Sequence, residues 1–344
     1  MSAHTPIETD ALIIGAGPIG LFQAFQLGLL EISCHIVDTL PHPGGQCAEL
    51  YGSKPLYDIP GTPATTGLGL VEALVTQVAP FKPTMHLGEQ VATLSREPDG
   101  RWRLGTDKGS EFIAKTVFIA AGVGAFVPRR VAVEGIEAFE GSKLFYHPAE
   151  LGRFAGQSVV VQGGDDAALD TALGLVGQAA HVTLLHRRDG FQADAAKVAT
   201  LRAHVADGTL GFVVGQPSGF DGSELEVTLP DTRIVSRPID ALIACLGISP
   251  RLGPIADWGL ELERKQVPVD TEKFETRAPG VFAVGDINTY PGKKKLIVCG
   301  FHEATLAAWG AAALVFPGKA IHLQYTTTST RLHQLLGVGA YVSG

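Results

Sequence analysis

The chain has 344 residues, 45% of them apolar, so it can bury a substantial core, and its length suggests about two domains. Its net charge of −8 argues against a general binder of nucleic acid or of anionic membranes, because both partners call for a basic surface. The four cysteines (Cys34, Cys47, Cys245 and Cys299) form no CxxC pair and no metal-ligand spacing. This cysteine usage predicts no metal site and indicates a reducing, cytoplasmic compartment.

The first long apolar stretch, Ala11–Leu30, has no charged residue and is as long as a membrane span. Glycines, a proline and two glutamines interrupt it, and the residues before it include acids but no Lys or Arg. A signal peptide has a basic start, which is missing here. The pattern therefore predicts a strand, a glycine turn and a buried helix, and no membrane span.

The glycine turn in this stretch reads GAGPIG and has Gly15, Gly17 and Gly20 in the GxGxxG spacing. In this motif the first glycine makes a tight turn, the second lets the backbone approach a pyrophosphate, and the third lets helix and strand pack closely. The next predicted strand, SCHIVD, ends at Asp38, where a carboxylate accepts hydrogen bonds from ribose hydroxyls. The combination favours an FAD site over a structural glycine loop with a solvated aspartate.

A second strand–turn–helix pattern, SVVVQGGDDAALDTALGLV, places Gln162, Gly164 and Ala167 in the GxGxxA spacing. Glutamine stands where the first glycine is usual, so this turn is the weaker of the two. The next predicted strand ends in HRR, with Arg187 and Arg188, and not in a carboxylate. Two guanidinium groups match a 2′-phosphate, so the pattern favours an NADP(H) site over a solvated basic strand end.

Later segments extend the same pattern. TVFIAAGVGAFVPRR, residues 116–130, is an apolar strand that ends in a glycine turn. GVFAVGDI, residues 280–287, is another, and it places Asp286 at the carboxyl end of a strand, where parallel sheets bind ligands. The small-residue helix FHEATLAAWGAAAL follows, and its first amides are expected near a flavin. The fold class predicted is α/β, with two Rossmann-like dinucleotide-binding domains.

In this order the motifs resemble the two-dinucleotide-domain flavoproteins, and among them the thioredoxin-reductase-like ferredoxin/flavodoxin–NADP⁺ reductases. The resemblance covers nearly the whole chain. Its most distinctive pieces are GGQCAELYGSKPLYDIPG, AAGVGAFVPRR, YPGKKKLIVCGFHEA and YTTTSTRLHQLLGV. It implies a homodimer in which an NADP domain at 124–246 is inserted into an FAD domain formed by residues 1–123 and 247–344, the last part carrying a C-terminal extension.

The chain lacks the dithiol of its disulfide-reducing relatives. Thioredoxin reductases carry a CxxC just before the second glycine turn, where this chain reads LFYHPAEL, residues 144–151. Glutathione-reductase-type enzymes pair two cysteines after the GGxC turn, but the partner position of Cys47 is Gly52. A single thiol cannot relay the two electrons of a hydride as an internal disulfide. Electrons are therefore expected to leave from the flavin, singly to ferredoxin or flavodoxin, although quinones and oxygen also accept electrons from an exposed flavin.

The resemblance implies FAD contacts from Gly15, Gly17, Gly20, Asp38, Gln46, Tyr51, Val91, Phe126, Asp286 and Thr327. Tyr51 would stack on one face of the flavin, and Tyr325 of the C-terminal extension on the other, ahead of His333 and Tyr341 as candidates. The alternatives are core packing for Tyr51 and Phe126 and a disordered tail for Tyr325. The implied NADP(H) contacts are Gly164, Arg187 and Arg188. Gln192 stands where relatives often have Arg, which would loosen the hold on a 2′-phosphate.

The hypothesis is an FAD-dependent oxidoreductase that exchanges hydride with NADPH and single electrons with ferredoxin or flavodoxin. No side-chain acid or base is expected to be catalytic, because the protein contributes mainly by positioning two rings. Two alternatives stay open: an NADPH–quinone or other small-molecule reductase on the same fold, and a non-catalytic flavoprotein that senses redox state.

An acidic ferredoxin would need a local positive patch on this acidic chain. Lys293, Lys294 and Lys295 lie between Asp286 and the following helix, and they are the predicted docking site. The pair at 129–130 is a second candidate, and a solvated lysine loop is the alternative explanation.

Overall fold

The protein is described by a computed structural model covering residues 5–146, 148 and 150–338, without the side chains of residues 126–128 and 248–250. The chain divides into two compact units. The first unit combines residues 1–125 with residues 250–344, and the second consists of residues 126–249. The limits predicted from the sequence for the inserted domain are 124 and 246.

The glycine-rich start of the chain forms a strand–turn–helix. Ala11 lies in the apolar half of β1, and Pro18 begins α1, where its fixed φ suits the first helical position. The uncharged stretch Ala11–Leu30 is thus divided between a strand and a helix. The first segment of this unit contains β1 (Ile7–Ile14), α1 (Pro18–Leu29), β2 (Cys34–Asp38), α2 (Gly45–Glu49), β3 (Pro55–Leu56), β4 (Thr65–Thr66), α3 (Gly67–Val78), β5 (Thr84–Leu87), β6 (Val91–Arg96), β7 (Trp102–Thr106) and β8 (Glu111–Ile119).

The second unit is built around a parallel sheet with the strand order β10-β17-β11-β12-β13. An antiparallel sheet, β14-β15-β16, lies within the same unit, and β9 pairs with β18 where the chain passes between the units. The elements of this segment are β9 (Ala125–Pro128), β10 (Leu144–Tyr146), β11 (Ser158–Gly163), α4 (Asp166–Leu175), β12 (His181–His186), α5 (Ala195–Ala206), β13 (Gly211–Val214), β14 (Gln216–Phe220), β15 (Glu224–Thr228), β16 (Ile234–Pro238), β17 (Ala241–Cys245) and β18 (Ile248–Arg251).

The last segment completes the first unit with β19 (Val267–Pro268), β20 (Val281–Ala283), β21 (Asn288–Thr289), α6 (Ile297–Val315) and α7 (Thr330–Leu336). The main sheet has the order β5-β2-β1-β8-β7-β6, and β20 pairs with the end of β8. Strands β5, β2, β1, β8 and β20 are parallel, so their carboxyl ends lie at one edge. Gly15, Asp38 and Asp286 lie at or just beyond this edge, where open α/β sheets bind ligands.

Helix α6 is long and apolar enough to cross a membrane by length and composition alone. Its buried face is a stripe of alanines that packs in the core of the first unit, together with side chains of α1 and α3. The stripe consists of Ala304, Ala307, Ala308, Ala311 and Ala312. Small side chains let a helix approach its neighbours closely, so these contacts are those of a core helix.

Candidate functional site

Backbone contacts leave no room for a side chain at two glycines of the first glycine turn, Gly15 and Gly20. Gly15 has a φ of 111°, and a Cβ on it would lie 2.4 Å from the Ala120 carbonyl oxygen. A Cβ on Gly20 would lie 1.8 Å from the Gly15 carbonyl oxygen, so α1 packs directly on the turn. Gly17 precedes α1, whose fully described first turn carries no side-chain cap and no acidic residue. The amides at the start of α1 are therefore open to an anion, as a dinucleotide pyrophosphate requires.

Asp38, at the end of β2, braces the same turn. Its carboxylate accepts hydrogen bonds from the backbone N–H groups of Ala16 at 2.6 Å and Leu40 at 2.8 Å. Burial raises the pKa of this carboxyl above its ordinary value, and the two N–H groups oppose that rise. An ionised carboxylate accepts about four hydrogen bonds. Asp38 therefore keeps acceptor capacity for ribose hydroxyls after it has fixed the turn.

Gln46 and Asp286 come together from distant parts of the chain. Gln46 lies in α2, and its Nε2 donates to Asp286 Oδ2 at 3.4 Å. Asp286 belongs to a 3₁₀ turn, Gly285–Ile287, that follows β20. The Cys47 thiol donates to the Tyr51 hydroxyl at 3.5 Å, and burial raises the pKa of both groups. The structure thus groups three of the predicted FAD residues, Gln46, Tyr51 and Asp286, beside the first glycine turn.

A buried carboxylate, Glu303, ties the 3₁₀ turn after β20 to α6. It is fully buried and accepts hydrogen bonds from the Gly285 N–H at 2.7 Å, the Asn288 amide at 2.8 Å and the Tyr290 hydroxyl at 2.9 Å. Lys293 donates to the same carboxylate and also to the Gly285 carbonyl oxygen. A charge at this depth is tolerated when it is both paired and hydrogen-bonded, and Glu303 is both.

This arrangement corrects the predicted role of Lys293. Its side chain is only 7% exposed and is held by Glu303, so it cannot form part of a docking surface. Lys294 and Lys295 are exposed. A lone acid inside the apolar helix FHEATLAAWGAAAL is the signal that could have revealed the pair, because a buried carboxylate needs a cation nearby.

The structure gives the positions of Val91, Tyr325 and Thr327 and the backbone of Phe126, four further residues that the resemblance implicates. Val91 begins β6, and its side chain is buried in the core of the first unit. The side chain of Phe126 lies outside the described part of the protein. Tyr325 and Thr327 belong to the segment before α7, and both are exposed, Tyr325 to 69%. Tyr341, the other aromatic candidate of the tail, also lies outside the described residues.

Helix α7 attaches the described part of the C-terminal extension to the first unit. Arg331 donates to the Gly28 carbonyl oxygen at 3.0 Å, and its guanidinium lies over the Phe81 ring at 5.9 Å. Leu332 is buried beside them, and His333 is in the same helix. Gly28 lies near the end of α1, roughly 15 Å along the helix from its start. The tail is therefore anchored at the opposite end of α1 from the glycine turn.

The second glycine turn is displaced by one residue from the predicted register. Gln162 still belongs to β11, where it pairs with Leu185. The tight turn falls on Gly163, where a Cβ would lie 2.3 Å from the Cys245 carbonyl oxygen. Asp165 is the residue that precedes α4. In order, the three motif positions are therefore Gly163, Asp165 and Ala168, whereas the sequence predicted Gln162, Gly164 and Ala167.

His186 packs against this turn. The strand pairing that sets Asp38 beside Gly15 in the first unit sets His186 beside Gly163 in the second. Gly164 makes room for the imidazole, since a Cβ there would lie 2.4 Å from the ring. His186 therefore occupies in the second unit the position that Asp38 occupies in the first, where a carboxylate suits ribose hydroxyls.

The residues after His186 make the surface beside the second glycine turn basic. Arg187 and Arg188 are exposed, and neither forms an ion pair with any described residue. The pKa of His186 is lowered, first by burial and then by the two neighbouring arginines. Asp189, the nearest acid in sequence, is held by Arg202. This surface therefore offers two cations, Arg187 and Arg188, that no described acid pairs with, which suits a 2′-phosphate.

The four cysteines are all described, and none forms a disulfide. Burial raises the pKa of Cys34 to about 12 and that of Cys245 to about 11. Thiols with raised pKa values carry little thiolate near neutral pH, so they are poor partners in disulfide exchange. Of the LFYHPAEL segment, residues 144–146 form β10, and residues 147 and 149 lie outside the described part.

Comparison with known proteins agrees with this arrangement. Residues 9–309 match the family described as pyridine nucleotide-disulphide oxidoreductase. A protein named ferredoxin–NADP reductase 2 from Cupriavidus metallidurans is 57% identical over 338 residues, which are 97% of this chain and 92% of that protein. Its namesake from Cupriavidus necator is 56% identical over 342 residues, 98% of this chain and 93% of that protein.

Among solved structures, thioredoxin reductase from Lactococcus lactis aligns with a TM-score of 0.58 at 22% identity, covering 89% of this chain and 99% of that chain. This similarity concerns the fold, and it agrees with two Rossmann-like domains. The chain belongs to the pyridine nucleotide-disulphide oxidoreductase family, and within it groups with the ferredoxin–NADP reductases.

Proposed function

We propose that the chain is an FAD-dependent ferredoxin–NADP⁺ reductase, which exchanges hydride with NADPH and single electrons with ferredoxin or flavodoxin. The observation that carries the proposal is the contrast between the two glycine turns. The strand beside the first ends in Asp38, which suits the ribose hydroxyls of FAD. The strand beside the second ends in His186, Arg187 and Arg188, which suit the 2′-phosphate of NADP(H). The names of the two relatives support ferredoxin as the partner.

The proposed FAD residues act by positioning. The uncapped start of α1 holds the pyrophosphate, and Asp38 accepts from the ribose. Gln46 and Asp286 contact the cofactor from α2 and from the turn after β20. Contacts from Val91, Phe126 and Thr327 are assigned on the resemblance. Bound FAD supplies the chemistry that joins a two-electron donor to a one-electron acceptor.

The chain offers the flavin no internal dithiol. Cys47 is buried against Tyr51 and forms no disulfide, and the other cysteines are unpaired as well. Electrons that bound FAD supplies would therefore pass to the protein partner without a thiol relay. Tyr51 would stack on one face of the flavin ring, and Tyr325, exposed in the segment before α7, is assigned to the other face on the resemblance alone.

The remaining parts of the proposal concern the setting of the enzyme. We infer a homodimer in the cytoplasm, as the resemblance implies. Ferredoxin docks at Lys294 and Lys295, the two exposed lysines beside the start of α6. Exposed cations there would offset the net charge of −8 that otherwise repels an acidic partner.

The test is a two-step anaerobic experiment on the purified, FAD-loaded protein. NADPH is added first, and the flavin absorbance is expected to bleach. Oxidised ferredoxin is added next, and the flavin is expected to reoxidise as ferredoxin becomes reduced. Rapid reoxidation by quinones but not by ferredoxin would replace the proposal with a quinone reductase. A flavin that excess NADPH reduces only slowly would indicate a redox sensor.

A further inference from the structure

The two glycine turns are built alike but differ at the residue before the helix, where the pyrophosphate is expected. Gly15, just after β1, and Gly163, the last residue of β11, both begin the tight turn between a parallel strand and a helix. Two residues later the first turn has Gly17 and the second has Asp165, and each is the residue immediately before the helix. This is the position where the backbone must approach a pyrophosphate closely.

The carboxylate of Asp165 occupies one of the amides that the first turn leaves open. Asp165 Oδ1 accepts a hydrogen bond from the Ala168 N–H at 3.0 Å, which caps α4. At α1, Gly17 makes no such bond. The next acid, Asp166, points its carboxylate elsewhere, because Oδ1 accepts from the Asp194 N–H at 2.9 Å and lies 3.6 Å from Lys197 Nζ. Asp165 is therefore the acid that competes for the start of α4.

A phosphate binds at a helix start because free N–H groups and the positive end of the helix dipole attract it. A fixed carboxylate in that place removes a donor and repels the incoming anion. We propose that Asp165 is an internal competitor of the NADP(H) pyrophosphate, so that this enzyme binds the pyrophosphate weakly and depends on Arg187 and Arg188 for cofactor affinity. The proposal rests on the proposed function of the second unit as the NADP(H) domain.

The arrangement lowers the affinity for both nicotinamide cofactors. NADH and NADPH share the pyrophosphate, and only NADPH carries the 2′-phosphate. A site that weakens the shared contact and keeps the 2′-phosphate contact loses affinity for both cofactors, and NADH then has no strong contact left. Asp165 thereby leaves the ratio of the two affinities to Arg187 and Arg188, but it lowers the affinity for NADH, already the weaker ligand, until NADH no longer fills the site at cellular concentrations.

The experiment compares binding of three probes to the FAD-loaded wild type, Asp165→Gly and Asp165→Asn by calorimetry. NADP⁺ has both phosphate groups, NAD⁺ has only the pyrophosphate, and 2′-AMP has only the 2′-phosphate. Asp165→Gly, which copies Gly17, is expected to bind NADP⁺ and NAD⁺ roughly tenfold more tightly. Asp165→Asn keeps a capping oxygen without the charge, and its gain is expected to be about threefold. Binding of 2′-AMP should not change.

Asp166→Asn is the matched control, because it removes the same charge from the neighbouring residue. It is expected to change NADP⁺ affinity less than about twofold, since that carboxylate is held by Asp194 and Lys197. Unchanged 2′-AMP binding also shows that each variant is folded.

Unchanged or weaker NADP⁺ binding in a folded Asp165→Gly protein would overturn the proposal. An equal gain for 2′-AMP would also overturn it, because the effect would then not belong to the pyrophosphate. If neither the wild type nor Asp165→Gly binds NADP⁺ or 2′-AMP, the proposed function itself fails, and that result is distinct from the other two.

Discussion

At the scale of single residues, Arg187 and Arg188 are expected to determine the choice between NADPH and NADH. A charge-assisted hydrogen bond is worth roughly 1.5–3 kcal/mol, so the loss of one arginine should weaken NADPH binding about ten- to a hundredfold. NADH affinity should be nearly unchanged. The check is the KM for each cofactor in Arg187→Ala and Arg188→Ala. A parallel loss for both cofactors would mean that these side chains do not contact a 2′-phosphate.

Lys293 gives a second prediction at this scale. Removing one member of a buried ion pair leaves the other charge uncompensated, which costs about 3–5 kcal/mol. Lys293→Met should lower the free energy of unfolding by about that amount and should release FAD more readily, because Gly285 loses a contact beside Asp286. Urea unfolding and the FAD dissociation constant are the measurements. Lys294→Met, an exposed neighbour, is the control and should behave as the wild type.

A double variant separates the effect of the unpaired charge on stability from the effect of the altered side-chain shape. Lys293→Met combined with Glu303→Gln has no unpaired charge, so it should recover part of the lost stability. If Lys293→Met is as stable as the wild type, the pair contributes nothing and the buried network has another basis.

The residues that could be predicted from the sequence are those whose neighbours in the chain determine their role. Gly15 and Asp38 belong to one local strand–turn–strand pattern, and the structure joins them through the Ala16 N–H. The Glu303–Lys293 pair depends instead on how a helix packs against a turn. Spacing along the chain does not encode that contact, so the sequence predicts a surface lysine where the structure has a buried one.

At the scale of elements, the glycine turns show the same limit. The first turn has all three glycines, and its register follows from the motif. The second keeps only the first of them, because Asp165 and Ala168 stand at the other two positions, and Gln162 continues the strand. With glycines at both 163 and 164, spacing alone allows two registers, and strand pairing decides between them.

The sheet edge formed by β2 and β5 gives a prediction about pH. His35 Nδ1 and His86 Nε2 lie 2.9 Å apart, and both rings pack near Phe112. One ring must donate and the other accept, so at least one imidazole is neutral. Burial, and then the charge of His86, lower the pKa of His35 below its ordinary value of 6.5. The unfolded chain therefore takes up protons first as the pH falls.

The sign of the effect follows from this shift. The contribution of His35 to stability is fully present above about pH 6.5 and is lost as the pH falls from there toward the lowered pKa. Urea unfolding of the wild type at about pH 7.5 and pH 5.5 should show a larger loss of stability than in His35→Gln. His322→Gln, in an exposed position, should lose as much as the wild type. Equal losses in all three proteins would remove the histidine pair from the explanation.

At the scale of the whole molecule, docking of an acidic ferredoxin depends on local charge against a net charge of −8. Reversing both Lys294 and Lys295 to Glu should raise the ferredoxin KM several-fold at low ionic strength, and the difference should shrink in salt. NADPH reduction of the flavin should stay unchanged. Lys82→Glu with Lys319→Glu, also exposed, makes the same change in charge elsewhere and is the control. An equal rise in the control would show that only the net charge matters.

The division of the first unit into two segments has a consequence for the order of synthesis. Because the ribosome makes the chain from its N-terminus, residues 126–249 emerge before β20 and α6. Until then the end of β8, at 117–119, lacks the strand that pairs with it, and the core has no cover from α6. The second unit is one continuous segment and can fold first. The proposed FAD site needs Asp38 from the first segment and Asp286 from the last, so it is among the last parts of the protein to be completed.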